Sequence, residues 1–176
     1  MGYGRTEGAP MNDRVLSPEE RRLLTRPDYI VYVPKGHEDG AYDRVNEHFL
    51  VFNGPDGSLM TIWTQEWQVP GQGNVNHTIF ARSTDEGQTW SPPQTIAGPC
   101  RVDDPAHMAN WAFPMVSKSG RIYVIYNAYH GVKGWIAFHT GTMAGSYSDD
   151  LGANWAAPQE IPMPDSPYDD PGCGIP

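Results

Sequence analysis

Acidic, basic and aromatic residues collect in four polar stretches of this 176-residue chain, at residues 34–48, 66–77, 98–111 and 130–141. Aromatic rings stack on the apolar faces of sugars, and arginine forks bind carboxylates through paired hydrogen bonds. Carboxyl groups transfer protons during glycoside hydrolysis. The combination therefore indicates a sugar site. Its candidate members are Glu38, Asp39, Asp43, Arg44, Glu47, Glu66, Trp67, Arg101, Asp103, Asp104, Trp111 and Trp135.

The histidines follow the same distribution, since all six lie in these stretches or at their edges. They are His37, His48, His77, His107, His130 and His139. Polar loops collect histidine in many proteins, so a solvated or loop-bracing role explains each of them at least as well as ligand binding. No H-x-x-x-H or H-E-x-x-H spacing occurs, and the sequence predicts neither a metal site nor a cofactor.

Two observations weaken individual candidates. Asp103 and Asp104 recur as Asp169 and Asp170, in the matching segments VDDP and YDDP, which favours a linker role for the pair. Trp111 stands at the start of an apolar run and is equally well explained as a core residue or as a sugar platform.

A second acidic pattern, STDEGQTW at residues 83–90, recurs as SDDLGANW at residues 148–155. Aspartate accepts hydrogen bonds from the backbone of its own turn, glycine adopts positive φ without penalty, and tryptophan supplies an apolar plate. Every residue thus has a structural task, and we predict a turn rather than a catalytic acid. The predicted turn residues are Ser83, Asp85, Gly87, Thr89, Trp90, Ser148, Asp150, Gly152 and Trp155.

These two patterns belong to an internal repeat. Gly57 and Gly120 are 63 residues apart, and Asp85 and Asp150 are 65 apart. Each copy contains four short apolar runs bounded by turn residues, which predict strands. The predicted strands are 48–52, 58–65, 77–83 and 93–97 in the first copy, and 112–116, 121–129, 142–148 and 158–161 in the second.

Four antiparallel strands per repeat are typical of a β-propeller blade, and propellers close with about four to eight blades. We therefore predict an all-β, partial β-propeller with a blade at 45–97, a blade at 110–162 and the start of a further blade at 163–176. The four polar stretches would share one end of the blades. The chain is predicted to be truncated, and to be poorly soluble or to associate in isolation, with a ring of several chains as the less favoured alternative.

The N-terminal part precedes this domain. Residues 1–27 are predicted to form a loose tail and a short helix, SPEERRLL at 17–24, with Ser17 as N-cap and Pro18 at the first helical position. The run YIVYV at 29–33 predicts a strand at the start of the propeller domain, which we place at 28–176.

Composition excludes several classes of protein. A formal net charge of −9 argues against a nucleic-acid surface. Nothing approaches the apolar length of a membrane span, and the start MGYGRTEGAPMNDR lacks the apolar core of a signal peptide. Cys100 and Cys173 have no C-x-x-C spacing and are predicted to be inert thiols. The compartment and the oligomeric state stay open.

The pattern S-x-D-x-G-x-[T/N]-W resembles the Asp-box, or bacterial neuraminidase repeat, of the sialidase-like propeller superfamily. STDEGQTW fits it in full, whereas SDDLGANW carries Asn154 in place of threonine. The resemblance covers residues 45–176 and implies a six-bladed propeller whose Asp-box turns lie away from the active site. It also implies a carbohydrate ligand and an exo-acting glycoside hydrolase related to exo-α-sialidases, of which this chain would be an N-terminal part.

Sialidases of this superfamily bind the substrate carboxylate with three arginines and use a Tyr–Glu pair and an aspartic acid. The first arginine stands in a [F/Y]-R-I-P motif, whereas this chain has YDRVNEHF at 42–49, with Arg44 but without the motif. The acid is expected in the loop EWQVPGQGNVNH at 66–77, which contains Glu66 but no aspartate. The resemblance therefore offers Glu66 and Arg44 as catalytic candidates and favours a sugar other than sialic acid.

The substrate-binding candidates are Trp67, His77, Arg101, Asp104, His107 and His130. The same departures favour the alternative, a non-catalytic propeller that binds glycan or protein through this end.

Overall fold

A computed structural model describes residues 15–34, 43–69, 73–100, 107–129 and 141–162. The chain is all-β apart from one short helix, and it forms two four-stranded antiparallel sheets in which sequential strands are neighbours. The helix is α1 (Pro18–Leu24). Sheet 1 contains β1 (Asp43–Asn53), β2 (Leu59–Val69), β3 (Gly73–Ser83) and β4 (Gln94–Ala97). Sheet 2 contains β5 (Met108–Val116), β6 (Ile122–Tyr129), β7 (Gly141–Ser148) and β8 (Gln159–Glu160).

Helix α1 begins at a capping box, as the sequence predicts. The Ser17 hydroxyl accepts a hydrogen bond from the Glu20 backbone N–H at 3.2 Å, and the Glu20 carboxylate accepts one from the Ser17 N–H at 2.9 Å. Pro18 occupies the first helical position, where its missing N–H costs nothing. No residue of α1 is buried, so local hydrogen bonds rather than packing hold this helix.

The predicted strand at residues 29–33 is wrong. The segment contains no strand, and the edges of sheet 1 are β1 and β4. It lies instead across one face of sheet 1, where Val31 and Tyr32 pack against a cluster formed by Trp63, Ile79 and Ala81. An apolar run can be buried by its side chains on a sheet face as well as by backbone pairing, and its composition is the same in both cases. We call residues 29–33 the strap.

The two hairpins that open the sheets have the same turn. Gly57 and Gly120 have φ values of 83° and 86°, in the left-handed region that favours glycine. The Gly57 N–H donates to the Gly54 carbonyl at 3.0 Å, and the Gly120 N–H donates to the Ser117 carbonyl at 3.0 Å. The positions predicted from the 63-residue offset therefore have equivalent backbone geometry.

The core lies between the sheets. Buried and half-buried residues alternate along β6, because every second side chain of a strand points to the same face. Ile122 and Val124 of sheet 2 share one apolar cluster with Met60, Ile62 and Phe80 of sheet 1. The two sheets pack through this cluster, and within the described ranges they do not close into a ring.

The first strand of each sheet is bulged at the same place. The register of β1 against β2 shifts between Glu47 and Leu50, and that of β5 against β6 shifts between Asn110 and Phe113. His48 and Trp111, which are 63 residues apart, both have φ of 51°. Left-handed backbone is unfavourable for side chains other than glycine, and bulges of this kind often re-aim side chains at functional sites.

Candidate functional site

One end of the sheets carries most of the polar residues. Antiparallel pairing brings the starts of β1, β3, β5 and β7 together with the ends of β2 and β6. We call this the polar end, and the opposite end, which carries the hairpin turns and the two repeated motifs, the turn end. The described parts of the four polar stretches lie at the polar end, as the sequence predicts.

Asp43 is a buried carboxylate at the start of β1, with 3% of its surface exposed. One carboxylate oxygen accepts a hydrogen bond from the Tyr32 hydroxyl, and the other accepts one from the Asn46 amide at 2.9 Å. Burial, followed by the hydrogen bond to Asp43, raises the pKa of Tyr32 to about 12. The phenol therefore stays protonated and donates to the carboxylate over the whole neutral range.

Gln65 extends this network to His77. The Gln65 amide N–H donates to the Tyr32 hydroxyl at 3.1 Å, and the Gln65 amide oxygen lies 2.8 Å from His77 Nε2. An amide oxygen only accepts, so Nε2 of the imidazole carries the proton. Each hydrogen bond then points along the chain from His77 through Gln65 and Tyr32 to Asp43.

His77 is neutral because it is buried. Desolvation lowers its pKa to about 4, and the Asp43 charge and the Val75 backbone only weaken this effect. The side chain is inaccessible, so the predicted substrate contact of His77 can only be indirect. Its ring lies 4.1 Å from that of the half-buried Trp67, measured between centroids. His77 thus supports Trp67 from behind.

Glu66 lies on the other face of β2, towards sheet 2, because alternate strand residues face opposite ways. It is 9% exposed and stands opposite Asn76 in the pairing of β2 with β3. The structure therefore brings Asp43, Trp67 and His77 together on one face of sheet 1, and places Glu66 on the opposite face, near the junction of the sheets.

The bulges bring Glu47 and Trp111 together across this junction. The Trp111 indole N–H donates to the Glu47 carboxylate at 3.2 Å, and the Trp111 backbone N–H donates to the Thr64 hydroxyl at 2.9 Å. Sequence reasoning named Glu47 only as one loop carboxylate among many and left Trp111 undecided. The 63-residue offset between His48 and Trp111 was the signal that could have identified these bulged positions as equivalent.

Unsatisfied polar groups also collect at the polar end. Within the described ranges, five buried side-chain atoms form no hydrogen bond: Nε2 of His48, Oδ1 of Asn76, Nδ1 of His77, and both Nδ2 and Oδ1 of Asn110. All four residues lie at starts of strands at the polar end, or beside the bulges there. Buried polar atoms are normally paired, and exceptions tend to mark functional sites. These groups can offer both donors and acceptors to a polar ligand.

Several predicted site residues are not placed. Arg101, Asp104, His130 and the side chain of Arg44 lie outside the described residues. The backbone of Arg44 is part of β1, next to Asp43. His107 is exposed immediately before β5.

The first repeated motif forms a closed turn at the turn end. The Gly87 N–H donates to the Ser83 hydroxyl at 2.9 Å, and the Thr89 N–H donates to the Asp85 carboxylate at 2.8 Å. The Trp90 indole N–H donates to the Gly87 carbonyl at 3.0 Å. Hydrogen bonds from the Thr89 side chain and backbone lower the pKa of Asp85. Its carboxylate is therefore engaged within its own turn.

The second motif repeats this geometry. The Gly152 N–H donates to the Ser148 hydroxyl at 2.9 Å, and the Asn154 N–H donates to the Asp150 carboxylate at 2.8 Å. The Asn154 amide also donates to the other Asp150 oxygen at 2.6 Å, the distance at which the Thr89 hydroxyl donates to Asp85. Trp155 donates to Gly152 at 3.1 Å. Asparagine thus replaces threonine without loss of a hydrogen bond.

Two further site classes were searched among the described residues. They contain no group of three or more His, Cys, Asp or Glu side chains that could hold a metal ion. The described part of the chain also has no helix long and apolar enough to cross a membrane.

No protein-family model and no curated protein matches the sequence. Among solved structures, a protein of unknown function from Dyadobacter fermentans is similar with a TM-score of 0.50 and 16% identity, over 69% of this chain and 39% of that one. Zg3597, a family 117 glycoside hydrolase from the marine bacterium Zobellia galactanivorans, is similar with a TM-score of 0.54 and 15% identity, over 80% of this chain and 46% of that one. The chain spans less than half the length of either protein, and at these identities the likeness shows a shared fold.

Proposed function

We propose that this chain is a glycan-active protein of the sialidase-like propeller type, with its two sheets as two blades and an exo-acting glycoside hydrolase activity related to that of exo-α-sialidases. The two motif turns, with their matching hydrogen bonds, support the sialidase-like relation. The fold shared with a family 117 glycoside hydrolase supports a hydrolase acting on carbohydrate.

The observation that carries the proposal is the chemistry of the polar end. Buried donors and acceptors without partners among the described residues lie there beside carboxylates and half-buried indoles. Sugars match this combination, because their hydroxyls both donate and accept hydrogen bonds and their C–H faces stack on aromatic rings. A site of the same composition would suit no purely apolar ligand.

The proposed roles follow from position. Trp67, braced by His77, and Trp111, held by Glu47, are the sugar platforms. Glu66 is the proton donor to the glycosidic oxygen, in an environment from which most water is excluded. Arg44 binds an anionic or polar substituent of the sugar. Arg101, Asp104, His107 and His130 are proposed as further substrate-binding residues on sequence grounds.

A panel of sialylated, arabinan and other plant and algal oligosaccharides tests the reaction. We expect the purified chain to release one monosaccharide from the non-reducing end of one class, detected by anion-exchange chromatography. Glu66→Gln should abolish release with little change in affinity, while Glu19→Gln in the exposed helix α1 should change nothing. If no member of the panel is hydrolysed or bound, the proposal fails.

Non-catalytic glycan binding is the second candidate, and a specific observation favours it. Both oxygens of Asp43 already accept hydrogen bonds, and the Glu47 carboxylate is engaged by the Trp111 indole. Carboxylates held in this way bind and orient a ligand more readily than they exchange protons with it. Binding on a glycan array without sugar release, unaffected by Glu66→Gln but weakened by Trp111→Ala, would decide for this candidate.

A further inference from the structure

The contact between the two sheets has a distinctive shape at the turn end. The ring of Phe80, from sheet 1, packs on the second motif turn, 5.3 Å from the Trp155 ring at 68°. A Cβ atom on Gly152 would lie 2.3 Å from Phe80 Cζ. The contact therefore requires glycine, and sheet 2 receives an aromatic ring from sheet 1 in a recess formed by its motif turn.

Sheet 1 has the equivalent receiving surface, but the strap covers it. Gly87 precedes Gly152 by 65 residues, and a Cβ atom there would lie 3.6 Å from Tyr29 Cδ2. Tyr29 thus stands at the first motif turn where Phe80 stands at the second. Val31 and Tyr32 pack beside it on Trp63, the position that precedes Tyr126 of the sheet 2 core by 63 residues.

The strap covers this surface incompletely. Ile30 and Val33 are exposed, and so is more than half of Tyr29. A cavity of about 280 Å³ is present between strap and sheet, lined in part by Tyr29, Tyr32 and Trp63. Helix α1, which precedes the strap, buries no residue. Few apolar contacts therefore oppose its displacement.

The complementary surface is present at the other end of the chain, on the outer face of sheet 2. This face carries Phe113, Met115, Tyr123, Ile125 and Tyr147, which share one side in the strand pairing. Phe113 is 58% and Met115 54% exposed. Ile125 follows Ile62 by 63 residues, and Ile62 is buried in the contact between the sheets. Exposed apolar patches of this kind mark interaction surfaces.

We propose that the outer face of sheet 2 docks on sheet 1 of a second copy of this chain, displacing that copy's strap and continuing the contact seen between the two sheets. The two surfaces differ from each other, so the association is head to tail and adds further copies until a ring closes. The strap competes with the incoming sheet and sets the concentration at which association begins. The proposal depends on the repeat geometry and goes beyond the glycan activity.

Sedimentation equilibrium of the whole chain over a wide concentration range tests this. The average mass should rise with concentration and continue past that of a dimer. Ile125→Asp and, as a second variant, Met115→Lys should each give a folded monomer by circular dichroism, because a charge on the outer face blocks docking. Val31→Asp should release the strap and tighten association by about fivefold to tenfold.

Val15→Asp is the matched control, since Val15 is exposed and lies on neither surface; its association should equal that of the unmodified chain. A monomer at every concentration overturns the proposal. A dimer that grows no further and is indifferent to Val31→Asp also overturns it, because it would indicate that two outer faces pair with each other. Sugar release is not part of the measurement, so these outcomes leave the glycan proposal to its own test.

Discussion

At the scale of single residues, the main feature of the polar end is the direction of its hydrogen bonds. Donors from His77, Gln65 and Tyr32 point successively towards Asp43. A buried carboxylate is costly unless donors surround it, and this chain supplies them from the strap and from all three long strands of sheet 1. The proton on Nε2 of His77 and the ionised state of Asp43 are therefore mutually dependent.

The buried neutral His77 predicts a loss of stability in mild acid. Its pKa is about 4 in the folded protein, below the ordinary value of 6.5. Between these values the unfolded chain binds a proton that the folded chain does not, so stability falls as pH decreases through this window, by on the order of 3 kcal/mol in all. Urea unfolding at several pH values from 7 to 4.5 should show this slope.

The histidine is separated from other titrating groups by two variants. His77→Gln should flatten the slope between pH 7 and 4.5, whereas His107→Gln, which changes an exposed histidine, should keep it. The motif carboxylates have lowered pKa values and lose their contribution only at lower pH. An unchanged slope in His77→Gln would contradict the assignment.

At the scale of elements, the repeat is visible as pairs of equivalent turns and bulges. The hairpin glycines, the motif turns and the bulges at His48 and Trp111 recur with nearly the same backbone angles. The pairs differ in what they contact. Gly57 has no atom within 4 Å of a Cβ position, whereas Gly152 lies against Phe80. Equivalent local geometry therefore carries different tertiary consequences.

Two glycine-to-alanine substitutions separate backbone strain from packing. Gly57→Ala should cost about 1–2 kcal/mol, because only the positive φ is unfavourable for alanine. Gly152→Ala should cost about 1–3 kcal/mol more, since its new methyl group overlaps the Phe80 ring. Thermal or chemical unfolding measures both values. Equal losses would show that Phe80 does not depend on this recess.

At the scale of the whole molecule, the two sheets share one core. Met60, Ile62 and Phe80 of sheet 1 and Ile122 and Val124 of sheet 2 belong to a single buried cluster. Neither sheet buries this face without the other, so we expect the two to unfold together. The outer face of sheet 2 has the same repeat position but no described partner, which makes it the natural comparison.

A matched pair of isoleucine substitutions tests the shared core. Ile62→Ala should destabilise the chain by about 2–5 kcal/mol, because Ile62 is fully buried between the sheets. Ile125→Ala should cost clearly less, since Ile125 is only half-buried. Unfolding at low protein concentration measures the losses free of association. Hydrogen exchange should rise in both sheets in Ile62→Ala, and a rise confined to sheet 1 would contradict a common core.

The sequence by itself determined the local structures. The capping box of α1, the hairpin turns and both motif turns were predictable, because their hydrogen bonds join residues no more than four positions apart. The two four-stranded sheets followed from the repeat. The polar end was predictable as a region, since strand direction alone places loops at one end or the other.

Only the tertiary structure decided which side chains meet there. Gln65 and Tyr32 are 33 residues apart, and Trp111 and Glu47 are 64 apart. Such contacts depend on how the sheets pack and where bulges shift the register, neither of which residue types specify. The strap shows the same limit: YIVYV has the composition of a strand, but burial on a sheet face satisfied its apolar side chains without backbone pairing.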